Sequence, residues 1–176
     1  MKTKSTLFLL LFLLFGGAAV QSQSATETMI ADWERAKAFT LEYLEAMPED
    51  QLDLRPTPEI RSFAELMMHI AEANYGFGSP GTGQDMPEAP ENSDMAEDPT
   101  KEDLISQVSD SYDYVIDGIR NLDAPRMEEE VQVFGQFDMN RGAALSKAFE
   151  HQTHHRGQAS IYLRLAGVTP PGMKLF

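Results

Sequence analysis

The sequence has no cysteine. Disulfide staples, thiolate metal ligands and a cysteine nucleophile are therefore excluded, and folding must rest on core packing. Positive charge is scarce as well. Fourteen Lys and Arg stand against 28 Asp and Glu, for a net charge of −14. Such a chain repels phosphate backbones, so nucleic acid is not expected as a partner. Histidine is scarcer still, with four in 176 residues. The HExxH motif of zinc metalloproteases is missing, because Gln152 follows His151. No internal repeat or low-complexity tract is visible beyond the N-terminal segment.

One apolar run is present, and it lies at the N-terminus. MKTKSTLFLLLFLLFGGAAVQSQSA opens with Lys2 and Lys4, continues with apolar residues from Leu7 to Phe15, and ends in small residues. That is the layout of a secretory signal peptide, assigned to residues 1–22 with cleavage near Ala19 to Ala25. The run falls short of the roughly 20 apolar residues of a membrane span, so no stable membrane insertion is expected after cleavage. A lipid anchor would need a cysteine after the run. Without Lys2 and Lys4 the balance is 12 basic against 28 acidic residues, a net charge of −16. The expected location is exported, periplasmic or secreted, and residues 27–176 suit one domain.

Four helices can be read in that domain. The first runs from about Glu27 to Met47, with Met29, Trp33, Ala36, Tyr43, Leu44 and Met47 near helical spacing. Pro48 and the segment Asp53 to Pro58 end it. The second opens near Arg61 or Ser62, and its face of Phe63, Leu66, Ile70, Ala73 and Phe77 flanks His69. From Gly76 to Pro99 the density of Gly and Pro predicts a loop. The third helix spans about Lys101 to Leu122, with Thr100 as N-cap and Asp103 three residues on. Val131, Val133 and Phe134 suggest a short extended piece. The last helix spans about Arg141 to Ala166, capped by Asn140 or Asp138 and stopped by Gly167 and Pro170-Pro171. An all-α four-helix bundle follows, an architecture that builds metal sites from inward side chains on facing helices.

The histidines occupy two of these helices. His69 stands in FAELMMHIAEANYGF, and His151, His154 and His155 stand in FEHQTHHRGQASIYLRL. His151 and His155 differ by about 40° in azimuth and about 6 Å in rise, so both rings can reach one ion. His154 lies about 60° from His151 and about 100° from His155. The HxxxH pair is favoured, and an HxxH pair of His151 with His154 stays open. His69 supplies the third imidazole. Three neutral nitrogens without thiolate suit Zn²⁺, Ni²⁺ or another late divalent ion. They leave a coordination position for water or substrate, which is a catalytic arrangement rather than a closed structural one. Glu65, Glu72 and Glu150 are the carboxylates placed to orient an imidazole or carry a proton.

RPTPEIRSFAELMMHIAEAN resembles the second-helix signature of the DinB-like (YfiT-like) metalloprotein superfamily. FGQFDMNRGAALSKAFEHQTHHRGQASIYLRLAGVTPP is similar to its C-terminal hallmark, H-x-x-x-H-R-G-Q followed by YLR-x-x-G-x-x-PP. The resemblance covers most of the chain after residue 26. It implies an up-down-down-up bundle with a Zn²⁺ or Ni²⁺ site, and the ligand positions carry over to His69, His151 and His155. Within the motif, Gly157 would allow close helix packing and Arg156 would pair with an acid. Relatives of known chemistry include metal-dependent hydrolases, thiol S-transferases and a thiol-dependent maleylpyruvate isomerase. The reading is an exported metal-dependent enzyme acting on a small molecule, hydrolase-like through a metal-bound water. Thiol S-transfer and metal binding without turnover are the alternatives. Long apolar bundle faces often pair, so a homodimer stays open.

Overall fold

Four helices form around a core whose largest fully buried side chains include Trp33, Tyr112, Phe63 and Leu44. The computed structural model describes residues 3–87 and 99–175, with side chains described from Ala25 onward. The elements are α1 (Thr3–Ala46), α2 (Phe63–Thr82), α3 (Lys101–Asn121) and α4 (Arg141–Leu165). Between α3 and α4 lies a hairpin of β1 (Glu130–Val133) and β2 (Phe137–Asn140). Of the expected leader, residues 1–22, the stretch 3–22 forms the first part of α1, and its side chains lie outside the described residues. Among the described residues no helix is long and apolar enough to cross a membrane.

Helix directions follow from which residues meet. Glu34 pairs with Arg120, Thr40 meets Tyr112 and Lys101 reaches the Glu45 carbonyl, so α1 and α3 are antiparallel. Asn74 bonds Ser111 and Thr82 abuts Gly118, so α2 and α3 are parallel. Phe63 stacks on Tyr162 and Gly81 abuts Leu145, so α4 runs antiparallel to α2. Trp33 against Phe149 and Thr40 against Arg156 make α1 and α4 parallel. The order is up-down-down-up. Parallel neighbours α2 and α3 need a long connection to return the chain, which accounts for the stretch between Thr82 and Lys101.

Local chemistry sets the helix ends. Ser62 and Glu65 form a reciprocal capping box at α2, and Thr100 and Asp103 form another at α3. Asn140 accepts the Ala143 N–H at 2.8 Å to start α4. Gly167, at φ 79°, ends it, with the Val168 N–H bonded to the Leu163 carbonyl at 2.8 Å.

The expected loop from Gly76 begins later than the composition implied. Helix α2 continues through Pro80 to Thr82. Its glycines act as contact points there. A Cβ on Gly78 would lie 2.9 Å from Val115, and one on Gly81 would lie 2.9 Å from Leu145. Close approach of α3 and α4 selects these glycines, and helix propensity yields to packing. Arg141 donates from Nη1 to the Pro80 carbonyl at 2.6 Å, satisfying one orphan acceptor of the last turn.

The hairpin refines a second expectation. Val131 and Val133 are in β1, but Phe134 is in the turn at φ 52°. A bulky residue with positive φ is strained. Its ring is held against Phe77, with centroids 4.8 Å apart, and rests over Gly76. Inside the bundle, Arg156 departs from its expected acidic partner. Arg156 is 6% exposed, and its guanidinium donates to Gln152 Oε1, Thr40 Oγ1 and the Ala36 carbonyl, all neutral acceptors. It also lies 5.0 Å from the centroid of the Phe39 ring. Tyr112 joins the network by donating to Gln152 Oε1 at 3.0 Å, and burial pushes its hydroxyl pKa up to about 12.

Candidate metal centre

The antiparallel packing of α2 on α4 brings His69 opposite His151 and His155. Phe63, Leu66 and Ile70 bury one face of α2, while Ala148 and Ala159 give α4 a small-residue stripe above and below its histidines. The three rings are half-buried, and one nitrogen of each lies within 4.8 Å of the others. Ring centroids are 4.9 Å apart for His69 and His151, 4.7 Å for His69 and His155, and 4.4 Å for His151 and His155. Nε2 of His69 and Nε2 of His151 face each other at 3.2 Å. Two ligand nitrogens on a tetrahedral zinc would be about 3.3 Å apart, given bonds of about 2.05 Å. The donor set therefore suits one divalent ion.

The protonation pattern agrees with that use. Burial lowers the His69 pKa first, followed by the charges of Arg61 and His155. His151 falls to about 4, through burial and then through repulsion from His155, His69, His154 and Arg61. His155 is lowered mainly by burial, against a hydrogen bond to Gln158 that raises it. Three neutral imidazoles keep their lone pairs at neutral pH, which metal binding requires. The Nδ1–H of His155 donates to Gln158 Oε1 at 2.8 Å, leaving Nε2 of that ring as the ligand atom. Nδ1 of His151 is buried without a partner. A buried unsatisfied nitrogen costs about 1–3 kcal/mol, a cost tolerated at functional positions.

The other expected participants separate. His154 is exposed, outside the three-nitrogen group, and its Nε2 lies 3.0 Å from Gln158 Nε2. Glu65 is engaged elsewhere: it caps Ser62 and pairs with Arg55, which lower its pKa. Glu150 pairs with Lys147 at 3.1 Å. Glu72 lines the cleft beside His69 and has no ion pair among the described residues. A Cβ on Gly157 would meet nothing within 4 Å, so the expected close packing is absent there. Gln158, an amide rather than one of the expected carboxylates, is what orients the His155 imidazole. Its signal was the i+3 spacing from His155, which puts an amide over the ring.

Two clefts reach the site. One, about 800 Å³, is bordered by His69, and the other, about 690 Å³, by His155.

The family model described as "DinB family" matches residues 21–176. The chain belongs to the DinB family. This DinB-family chain is similar in fold to a DinB-like protein from Bacillus cereus ATCC 10987, at a TM-score of 0.70 and 19% identity, covering 84% of this chain and 97% of that one. A DinB-like protein of Bacillus subtilis, YjoA, gives 0.67 at 20% identity, over 83% and 96%. A conserved protein from Enterococcus faecalis gives 0.62 at 18% identity, over 80% and 96%. The uncharacterized protein YrdA of Bacillus subtilis (strain 168) is 40% identical over 47 residues. That stretch spans 27% of this chain and 28% of YrdA.

Proposed function

We propose that this DinB-family chain is an exported, metal-dependent enzyme of hydrolase type, with Zn²⁺ or Ni²⁺ held by His69, His151 and His155. The supporting observation is the convergence of three half-buried imidazoles from two helices on one point that two clefts approach. A divalent ion there supplies a Lewis acid, which acidifies water and polarises a substrate oxygen.

The protein's own residues do the rest. His69 and His151 present facing nitrogens, and Gln158 holds the His155 tautomer that leaves its Nε2 free. Glu72, three residues after His69 and on the same cleft, accepts a proton from the attacking water. The two clefts, about 800 and 690 Å³, are of a size to admit a small-molecule substrate. The N-terminal pattern of two lysines, an apolar run and small residues supports export.

Elemental analysis of the protein purified without its leader should find about one ion per chain. His155→Ala should lose that ion while keeping helical circular dichroism. A panel of small esters and amides should be turned over, and a chelator should abolish the turnover. An ion without turnover would point to metal binding alone, and turnover that needs an added thiol would point to S-transfer. Mass spectrometry of the exported protein should show loss of the leader; an intact N-terminus would remove export from the reading.

A further inference from the structure

Among the described arginines, Arg61 alone has a guanidinium with no hydrogen-bond or ion-pair partner. Arg35, Arg55, Arg120, Arg126 and Arg141 all pair with carboxylates. Arg156 is engaged in the core, and Arg164 donates to the Ser160 carbonyl. A lone cation is unexpected in a chain with twice as many acids as bases. Its position is specific: Arg61 borders both clefts, and its charge is felt by all three site histidines. The Arg61 carbonyl accepts from the Tyr162 hydroxyl at 2.7 Å, which ties this residue to α4.

The two clefts differ in charge. On the His69 side stand Glu49, Asp50, Asp53 and Glu72, a lining that repels anions. On the His155 side Glu65 is paired with Arg55, and Glu59, which accepts a hydrogen bond from Thr57, is the one carboxylate left without a cation. Arg61 is the cation there that no carboxylate pairs. Two large apolar side chains, Ile60 at 44% and Ile161 at 54% exposed, line the same cleft. Tyr162 lies seven residues after His155, about 10 Å along the helix axis. His155 and Arg61 line this one cleft, so a ligand lying in it can meet both.

We infer that the His155-side cleft selects a small substrate with an anionic group, such as a carboxylate. Arg61 binds the anion, and the apolar body lies on Ile60 and Ile161. Arg61 is thus a specificity residue for the site proposed above, and the inference rests on that metal reading. A guanidinium suits this role because its planar fork matches a carboxylate and never loses its charge at neutral pH.

Cobalt(II)-loaded protein provides a test that does not depend on turnover. Glutarate is butyrate with a second carboxylate added to its terminal carbon. Titrations followed by the cobalt visible bands should show glutarate binding about tenfold tighter than butyrate. Arg61→Gln should weaken glutarate more than butyrate and so erase that preference, while Arg61→Lys should retain part of it. No preference in the unmodified protein, or an undiminished one in Arg61→Gln, overturns the inference while the metal reading stands. Failure of cobalt to bind overturns the metal reading and this inference together.

Discussion

Gln158 shows how one side chain can decide the usefulness of another. Its Oε1 accepts from Nδ1 of His155 at 2.8 Å, so the proton is held away from the nitrogen that faces the other rings. Gln158→Leu should therefore weaken zinc binding by roughly 10–100-fold, measured by competition with a chromogenic chelator. His154→Ala should weaken it less, because His154 touches Gln158 without belonging to the three-nitrogen group. A larger loss from His154→Ala would return that residue to the ligand set and revive its pairing with His151. The ligand candidates were legible from their spacing in the sequence. Spacing favoured His151 with His155 but left the pair of His151 with His154 open, since 60° and 40° offsets both permit a shared ion, and it was the family resemblance that set His154 aside.

At the scale of elements, the glycines carry two different meanings that composition does not separate. In α2 they were read as breakers, yet the helix continues because α3 and α4 approach where a Cβ would not fit. Gly118 in α3 is the tightest case. A Cβ there would lie 2.4 Å from Thr82 Cγ2 and 2.6 Å from its Cβ, so the neighbour has little freedom to move. Gly118→Ala should destabilise the fold by about 1–3 kcal/mol, despite its gain in helix propensity. Gly157→Ala should do the opposite, adding about 0.5–1 kcal/mol, because open space surrounds that position. Urea midpoints of the two variants, on either side of the parent, would check both signs. The capping boxes at Ser62 and Thr100, by contrast, involve residues three apart, and only the one at Thr100 was expected.

Across the whole molecule, the histidine cluster makes stability depend on pH in a definite direction. All three site imidazoles have folded-state pKa values below their ordinary 6.5, His151 at about 4. Between those values the unfolded chain binds more protons than the folded one, so stability rises with pH across the window and falls as acid is added. Chelator-treated protein should thus lose thermal stability from about pH 6.5 downward, levelling near pH 4 as far as these groups contribute. His151→Gln should flatten that slope in parallel melting scans; an unchanged slope would assign it to other groups.

Spacing, capping and charge are local properties, so the chain itself specified four helices, an acidic surface and two histidine-bearing segments. It also specified the motifs that mark the family. The meeting of His69 with His151 and His155, the neutral surroundings of Arg156 and the solitary charge of Arg61 depended on residues distant in the chain. Those outcomes belong to tertiary structure, because they are set by which helix faces pack together and at what height. A local pattern can orient a side chain on its own helix, but only packing decides what stands across from it.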